Sequence, residues 1–253
     1  YDVDPDRALA LARHIGWTIA AELRSIGIDL NFGPVLDLDH GVSKVIGSRS
    51  FHAAPDAVIA LSEAMISAMR WAGMAAVGKH FPGHGGVVGD THDEPVVDER
   101  PLATLEKADL AVYATSILSS LGGVMCSHVI HPDIDSLPAG FSRTWLRTIL
   151  RNRLGFQGAI LSDDLTMAAA RTDGSAGERV EAAFDAGCDM VLICNDRPTV
   201  EKVLGELSAD NDESVLKRIE RLRGGGKPTA GGLSKLHESP EYRRACAVIH
   251  ASA

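Results

Sequence analysis

WAGMAAVGKHFPGHG, residues 71–85, closes a helical pattern at Gly73, runs through an apolar segment from Ala75 and stops at the pair Lys79-His80 before a glycine-rich loop. A glycine at that point can take the left-handed conformation that ends a helix, and an apolar run without polar alternation suits a strand covered on both faces. The same unit recurs outward in both directions. SIGIDL (25–30), RLGFQGAI (153–160) and DAGCDMV (185–191) each place a glycine between a helical stretch and an apolar run. Strands are expected over 28–35, 75–79, 123–127, 159–162 and 190–194. Helices are expected over 5–26, 56–71, 101–121, 142–153, 176–186, 198–207 and 240–250. Alternation of this kind is the signature of βα units around a parallel sheet.

Polar residues gather just after the apolar runs: Asp37 and Asp39, His80, His128 and His131, Asp163 and Asp164, Asn195 and Asp196. Parallel α/β folds build their sites at the carboxyl ends of strands, so the chemistry is expected on one face. GGGKPTAGG (224–232) lacks periodicity and reads as a loop before a terminal helix. The expected organisation is one catalytic domain over 1–223, with 224–253 as its loop-and-helix extension and no catalytic role.

With 253 residues, 45% of them hydrophobic, the chain can bury one large core. A formal net charge of −9 repels polyanions, which argues against a nucleic-acid partner or an anionic membrane surface and favours a small or neutral molecule. No apolar run is long enough to span a bilayer. Cys126, Cys188, Cys194 and Cys246 form no CxxC pair and sit mostly in apolar runs, as reduced cysteines of a cytoplasmic protein would. The chain opens at Tyr1 directly into a helical pattern, so further sequence is expected upstream.

The densest chemical constellation is KHFPGHG (79–85) followed by GVVGDTH (86–92). In an extended segment Asp90 and His92 project to the same side, so the carboxylate can hold one ring nitrogen and leave the other to move protons near neutral pH. A solvated turn is the plainer reading of that spacing taken alone. In SDDLTM (162–167) an apolar strand stops at paired carboxylates. One of them suits a nucleophile at an anomeric carbon, and Asp164 is expected in the lesser role of capping the next helix.

In this order, KHFPGHG, DTH and SDDLTM, together with NFGPVLDLD (31–39), GSRSFHAAP (47–55) and AGCDMVLICN (186–195), resemble the family 3 glycoside hydrolases of the bacterial β-N-acetylglucosaminidase type. The resemblance implies a (β/α)8 barrel of the TIM type. The five units present match its last five, and no DQEGGRV-like segment, whose aspartate grips the sugar in that family, occurs here. It further implies a retaining enzyme that removes terminal N-acetylglucosamine from peptidoglycan fragments without metal or cofactor. Asp163 would be the nucleophile, His92 the acid/base with Asp90 as its partner, and Arg49, Lys79 and His80 the sugar-binding residues. His84 would be structural. Two readings compete: a metal-dependent hydrolase built on His80, His84, His92, His128 and His131, and an inactive sugar-binding module.

Overall fold

In the computed structural model, residues 1–115, 117–170, 174–207, 212–225 and 231–252 are described. Helix α1, Pro5–Ser25, starts where the Asp4 carboxylate accepts from the Arg7 N–H at 3.0 Å with Pro5 in the first turn. Gly27, at φ 88°, turns the chain into β1, Leu30–Asn31. Helix α2, Pro55–Trp71, packs on α1 and leads to β2, Ala75–Phe81.

The remaining strands are β3 (Val96–Val97), β4 (Gly123–Cys126), β5 (Val129–His131), β6 (Asp135–Pro138), β7 (Ala159–Asp164) and β8 (Met190–Leu192). They form two sheets. The larger is parallel throughout, in the order β1-β2-β4-β7-β8, as five βα units require. Among the described strands, β1 and β8 are its edges and pair on one side only. The smaller sheet, β3-β5-β6, lies in the connections and was not expected from the pattern.

Alternation along the strands assigns the two faces. Ala76, Val124 and Ile160 join the large core beneath the helices, with Phe81, Trp145, Ile149 and Leu150. Val77, Met125 and Leu161 face the other way, into a second cluster with Ala159 and Leu222. Lys79 follows Val77 by two residues and Asp163 follows Leu161 by two. The two-residue period therefore sends both polar groups to this inner face at the carboxyl end. Asp164 falls to the opposite side.

Several expected elements differ in detail. The first strand is short because Pro34, which lacks an N–H, interrupts the ladder, although Val35 still bridges Lys79. The helix expected over 101–121 is broken into α3 (Leu102–Lys107), α4 (Asp109–Tyr113) and α5 (Ile117–Ser120). The break falls at Ala108, φ −122° and ψ −97°, beside the buried and ion-paired Asp109. Residues Thr144–Arg153 wind as a π-helix, in which Leu154 N–H reaches the Ile149 carbonyl at 2.8 Å. Helix α6, Ala176–Ala186, carries a full capping box between Ser175 and Glu178, and α7 spans Arg197–Glu206.

Two further helices, α8 (Glu213–Glu220) and α9 (Gly232–Glu238), precede α10 (Pro240–His250). Helices α9 and α10 both pack on α1. The loop expected over 224–232 falls largely on residues 226–230, outside the described residues, and Gly232 already belongs to α9. At the amino end of the sheet the Asp189 carboxylate joins three elements. It accepts from the Ile160 N–H at 2.8 Å, from Arg151 at 2.5 Å and from Arg218 of α8 at 2.7 Å. No helix among the described residues is long and apolar enough to cross a membrane.

Candidate active site at the carboxyl end of the sheet

The site is organised around Asp37, a buried carboxylate just past β1. One oxygen accepts from the His80 ring at Nδ1 (2.7 Å) and from the His80 backbone N–H (3.1 Å); the other accepts from the His84 N–H (2.7 Å). Burial alone would raise the Asp37 pKa, but contact with His80 and the His84 hydrogen bond more than offset it and leave it lowered. Since Nδ1 donates to Asp37, Nε2 of His80 is the nitrogen left for a ligand. The Lys79–His80 and Phe81–Pro82 peptides are cis. The Ser50 hydroxyl donates to the Asp37 carbonyl at 2.7 Å, which ties the 3₁₀ turn Gly47–Arg49 to the same point.

Lys79, Arg49 and Asp163 share one electrostatic environment. Burial lowers the Lys79 pKa and the Arg49 guanidinium lowers it further, while Asp163 and Asp37 pull it back up. Arg49 itself is exposed, with Nη1 on the Val45 carbonyl at 3.3 Å. Among the described residues Asp163 accepts a single, local hydrogen bond, from the Asp164 N–H at 2.8 Å, whereas Asp164 is fully engaged. Its oxygens take the Thr166 N–H and hydroxyl and the Cys194 N–H, at 2.7 to 3.0 Å. Asp164 thus pins the strand's end, and the Asp163 carboxylate is held far less. His128 stacks on Phe141 and meets the Asp164 carbonyl from Nε2 at 3.2 Å.

Asp90 and His92 form the dyad expected from their spacing. Asp90 Oδ1 accepts from His92 Nδ1 at 2.6 Å and from its N–H at 2.9 Å. These hydrogen bonds lower the Asp90 pKa. The His92 side chain is 61% exposed, so Nε2 is open to solvent. The loop that carries the dyad is docked: the Thr91 and His92 carbonyls accept from the Ala169 and Ala168 N–H groups, just beyond β7, at 3.1 Å. The structure thus gathers Lys79, His80, Arg49 and Asp163 at one end of the sheet. The dyad joins them through its loop, without a direct hydrogen bond to Asp163.

Glycines in this loop mark close approach. A Cβ on Gly85 would sit 1.8 Å from the Leu38 carbonyl oxygen, one on Gly86 2.2 Å from Arg100 Nη2, and one on Gly83 2.6 Å from Asp109 Oδ1. Beneath them lies an ionic network in which Arg100 bridges Asp98 (2.7 Å) and Asp109 (2.9 Å), and His40 also meets Asp109. Asp37, which joins two parts of the site, was legible only as one more polar residue ending an apolar run. His80, His84, His92, His128 and His131 do not converge: among the described residues no group of three histidine, cysteine or acidic side chains is arranged to hold a metal.

Comparison with known proteins shows the family to which this fold belongs. A family model described as the glycosyl hydrolase family 3 N-terminal domain matches residues 2–223. The beta-hexosaminidase of Thiobacillus denitrificans is 48% identical over 242 residues, which are 95% of this chain and 67% of that protein. NagZ from Neisseria gonorrhoeae, solved in complex with N-trifluoroacetyl-D-glucosamine, superimposes with a TM-score of 0.87 at 39% identity, over 95% of this chain and 69% of that one. A family 3 β-N-acetylglucosaminidase from Paenibacillus gives 0.78 at 26% identity, over 95% and 50%.

Proposed function

The chain belongs to glycosyl hydrolase family 3, and from that premise we propose that it is a retaining exo-β-N-acetylglucosaminidase acting on peptidoglycan-derived fragments. The observation that carries the reading is the electrostatic environment that Lys79 shares with Arg49 and Asp163 at the carboxyl end of the sheet, beside a loop that presents Asp90–His92. Lys79, Arg49 and His80 hold the hydroxyls of the terminal sugar. Asp163 attacks the anomeric carbon while His92, with its imidazolium supported by Asp90, gives its Nε2 proton to the departing glycosidic oxygen. The glycosyl ester on Asp163 is then opened by water, whose proton returns to His92, and the sugar leaves with its β configuration.

The five parallel units correspond, in this proposal, to part of an eight-stranded barrel, with residues 1–223 as the catalytic body and 224–253 as its extension. The four cysteines are free, which fits a reducing, cytoplasmic setting. A fluorinated N-acetylglucosaminyl fluoride tests the mechanism. Peptide mapping of the trapped enzyme is expected to put the label on Asp163, and NMR to show the β-anomer first. A label on Asp164 or an α-anomer as first product overturns it. Retention without any adduct assigns the nucleophile to the substrate's own acetamido group instead.

A further inference from the structure

We propose that His84 and Thr91 are positioning residues for the acid/base dyad, joined in a strut that is anchored on Asp37; this rests on the role of His92 proposed above. The strut is built from buried groups. Asp37 Oδ1 holds the His84 N–H at 2.7 Å, and His84 Nε2 hydrogen-bonds Thr91 Oγ1 at 3.0 Å. His84 and Thr91 are 3% and 2% exposed, in a loop whose Val88 is 66% exposed. Thr91 lies between the two members of the dyad, and its carbonyl is held by Ala169 beyond the nucleophile's strand.

The same Asp37 carboxylate holds His80, the sugar-binding histidine, through its other oxygen. One buried group therefore fixes both the residue that grips the sugar and the hydrogen-bonded path to the residue that protonates its leaving group. A proton transfer that depends on tenths of an ångström needs such a common reference. The imidazole of His84 suits the task because burial lowers its pKa and keeps it neutral.

A strut and a space-filler predict different outcomes for Thr91→Val, which keeps the side chain's volume and removes only the hydroxyl. The test measures kcat/KM of the full chain with an unactivated methyl N-acetylglucosaminide and with the activated 4-nitrophenyl glycoside, for the parent, Thr91→Val, Thr91→Ser, His84→Gln, His84→Leu and His92→Ala. General acid/base catalysis contributes about 10²- to 10⁴-fold, and a misplaced dyad forfeits part of it. Thr91→Val and His84→Leu are expected to lose about tenfold or more on the methyl glycoside and less than about threefold on the nitrophenyl glycoside. Thr91→Ser, which restores the hydroxyl, and His84→Gln, which restores a nitrogen at the Nε2 position, should recover most of the loss. Parent-like behaviour of Thr91→Val on both substrates, or equal losses on both, overturns the strut. If His92→Ala itself shows no leaving-group bias, the acid/base reading falls and the strut with it. Bias in His92→Ala without bias in Thr91→Val sinks the strut alone.

Discussion

From the two-residue link between β4 and β5, His128 reaches the backbone carbonyl of Asp164 and hydrogen-bonds it through Nε2 at 3.2 Å. That contact holds the peptide that follows Asp164, one residue beyond the proposed nucleophile Asp163, without touching either carboxylate. His128→Phe is expected to lower kcat about tenfold for good and poor leaving groups alike, because it loosens Asp163 and spares the acid. It should also cost about 1–3 kcal/mol of stability for the unpaired carbonyl. Steady-state kinetics on two substrates, with urea unfolding alongside, checks both.

His92→Ala is expected to lose about a hundredfold or more on substrates with poor leaving groups and far less on activated aryl glycosides. Asp90→Ala should show the same bias more mildly, since it leaves the imidazole in place but unoriented. Equal losses on both substrate types would remove His92 from the acid role.

Acid should unfold this protein in two stages. Burial pushes His131 down from 6.5 to about 4, and it lowers His84 and His128 in the same direction. A folded pKa below the unfolded one means that the unfolded chain takes up protons first as pH falls. Stability therefore declines from about pH 6.5 towards pH 4, by about 3 kcal/mol for His131 alone. Below the usual carboxylate range, protonation of Asp37 and Asp98, both held low, removes more. Urea midpoints between pH 7 and 4 check the first stage, and His131→Asn should flatten it.

Gly85→Ala should be among the most damaging small substitutions, at about 3 kcal/mol, the upper end for overpacking, because its Cβ would collide with the Leu38 carbonyl. Gly27→Ala, with nothing within 4 Å of its Cβ and only a φ of 88° to accommodate, should cost about 1 kcal/mol. Thermal melts of the two variants separate packing from backbone freedom. Comparable losses would contradict the close approach.

The strand ends were legible because each apolar run stops abruptly at charged groups, and a period of two then puts Lys79 and Asp163 on one face. The bond from Asp37 to His80 was not, since it spans 43 residues and leaves no mark in local spacing. Gly83, Gly85 and Gly86 read in the sequence only as a glycine-rich loop. Composition tells where a side chain is missing, and only the fold shows that Leu38, Arg100 and Asp109 occupy the space. The strands of the smaller sheet are two to four residues long, too short for alternation to declare itself. The break at Ala108 sits beside Asp109, one of whose ionic partners, His40, lies 69 residues away.

Asp189 gives the molecule a polarity of tolerance. It cross-links Ile160 near the origin of β7, the π-helix through Arg151 and the otherwise solvent-washed α8 through Arg218, all at the end of the sheet remote from the chemistry. Lost there, a buried charge would be left without its counterpart, and the damage would be felt as unfolding. Further along the same strand, at the proposed nucleophile Asp163, a substitution is expected to be felt as silence instead. Variation that tunes substrate preference can therefore accumulate at the carboxyl end while the opposite end absorbs the strain it introduces, which makes the carboxyl end a natural place to begin when the enzyme is to be redirected.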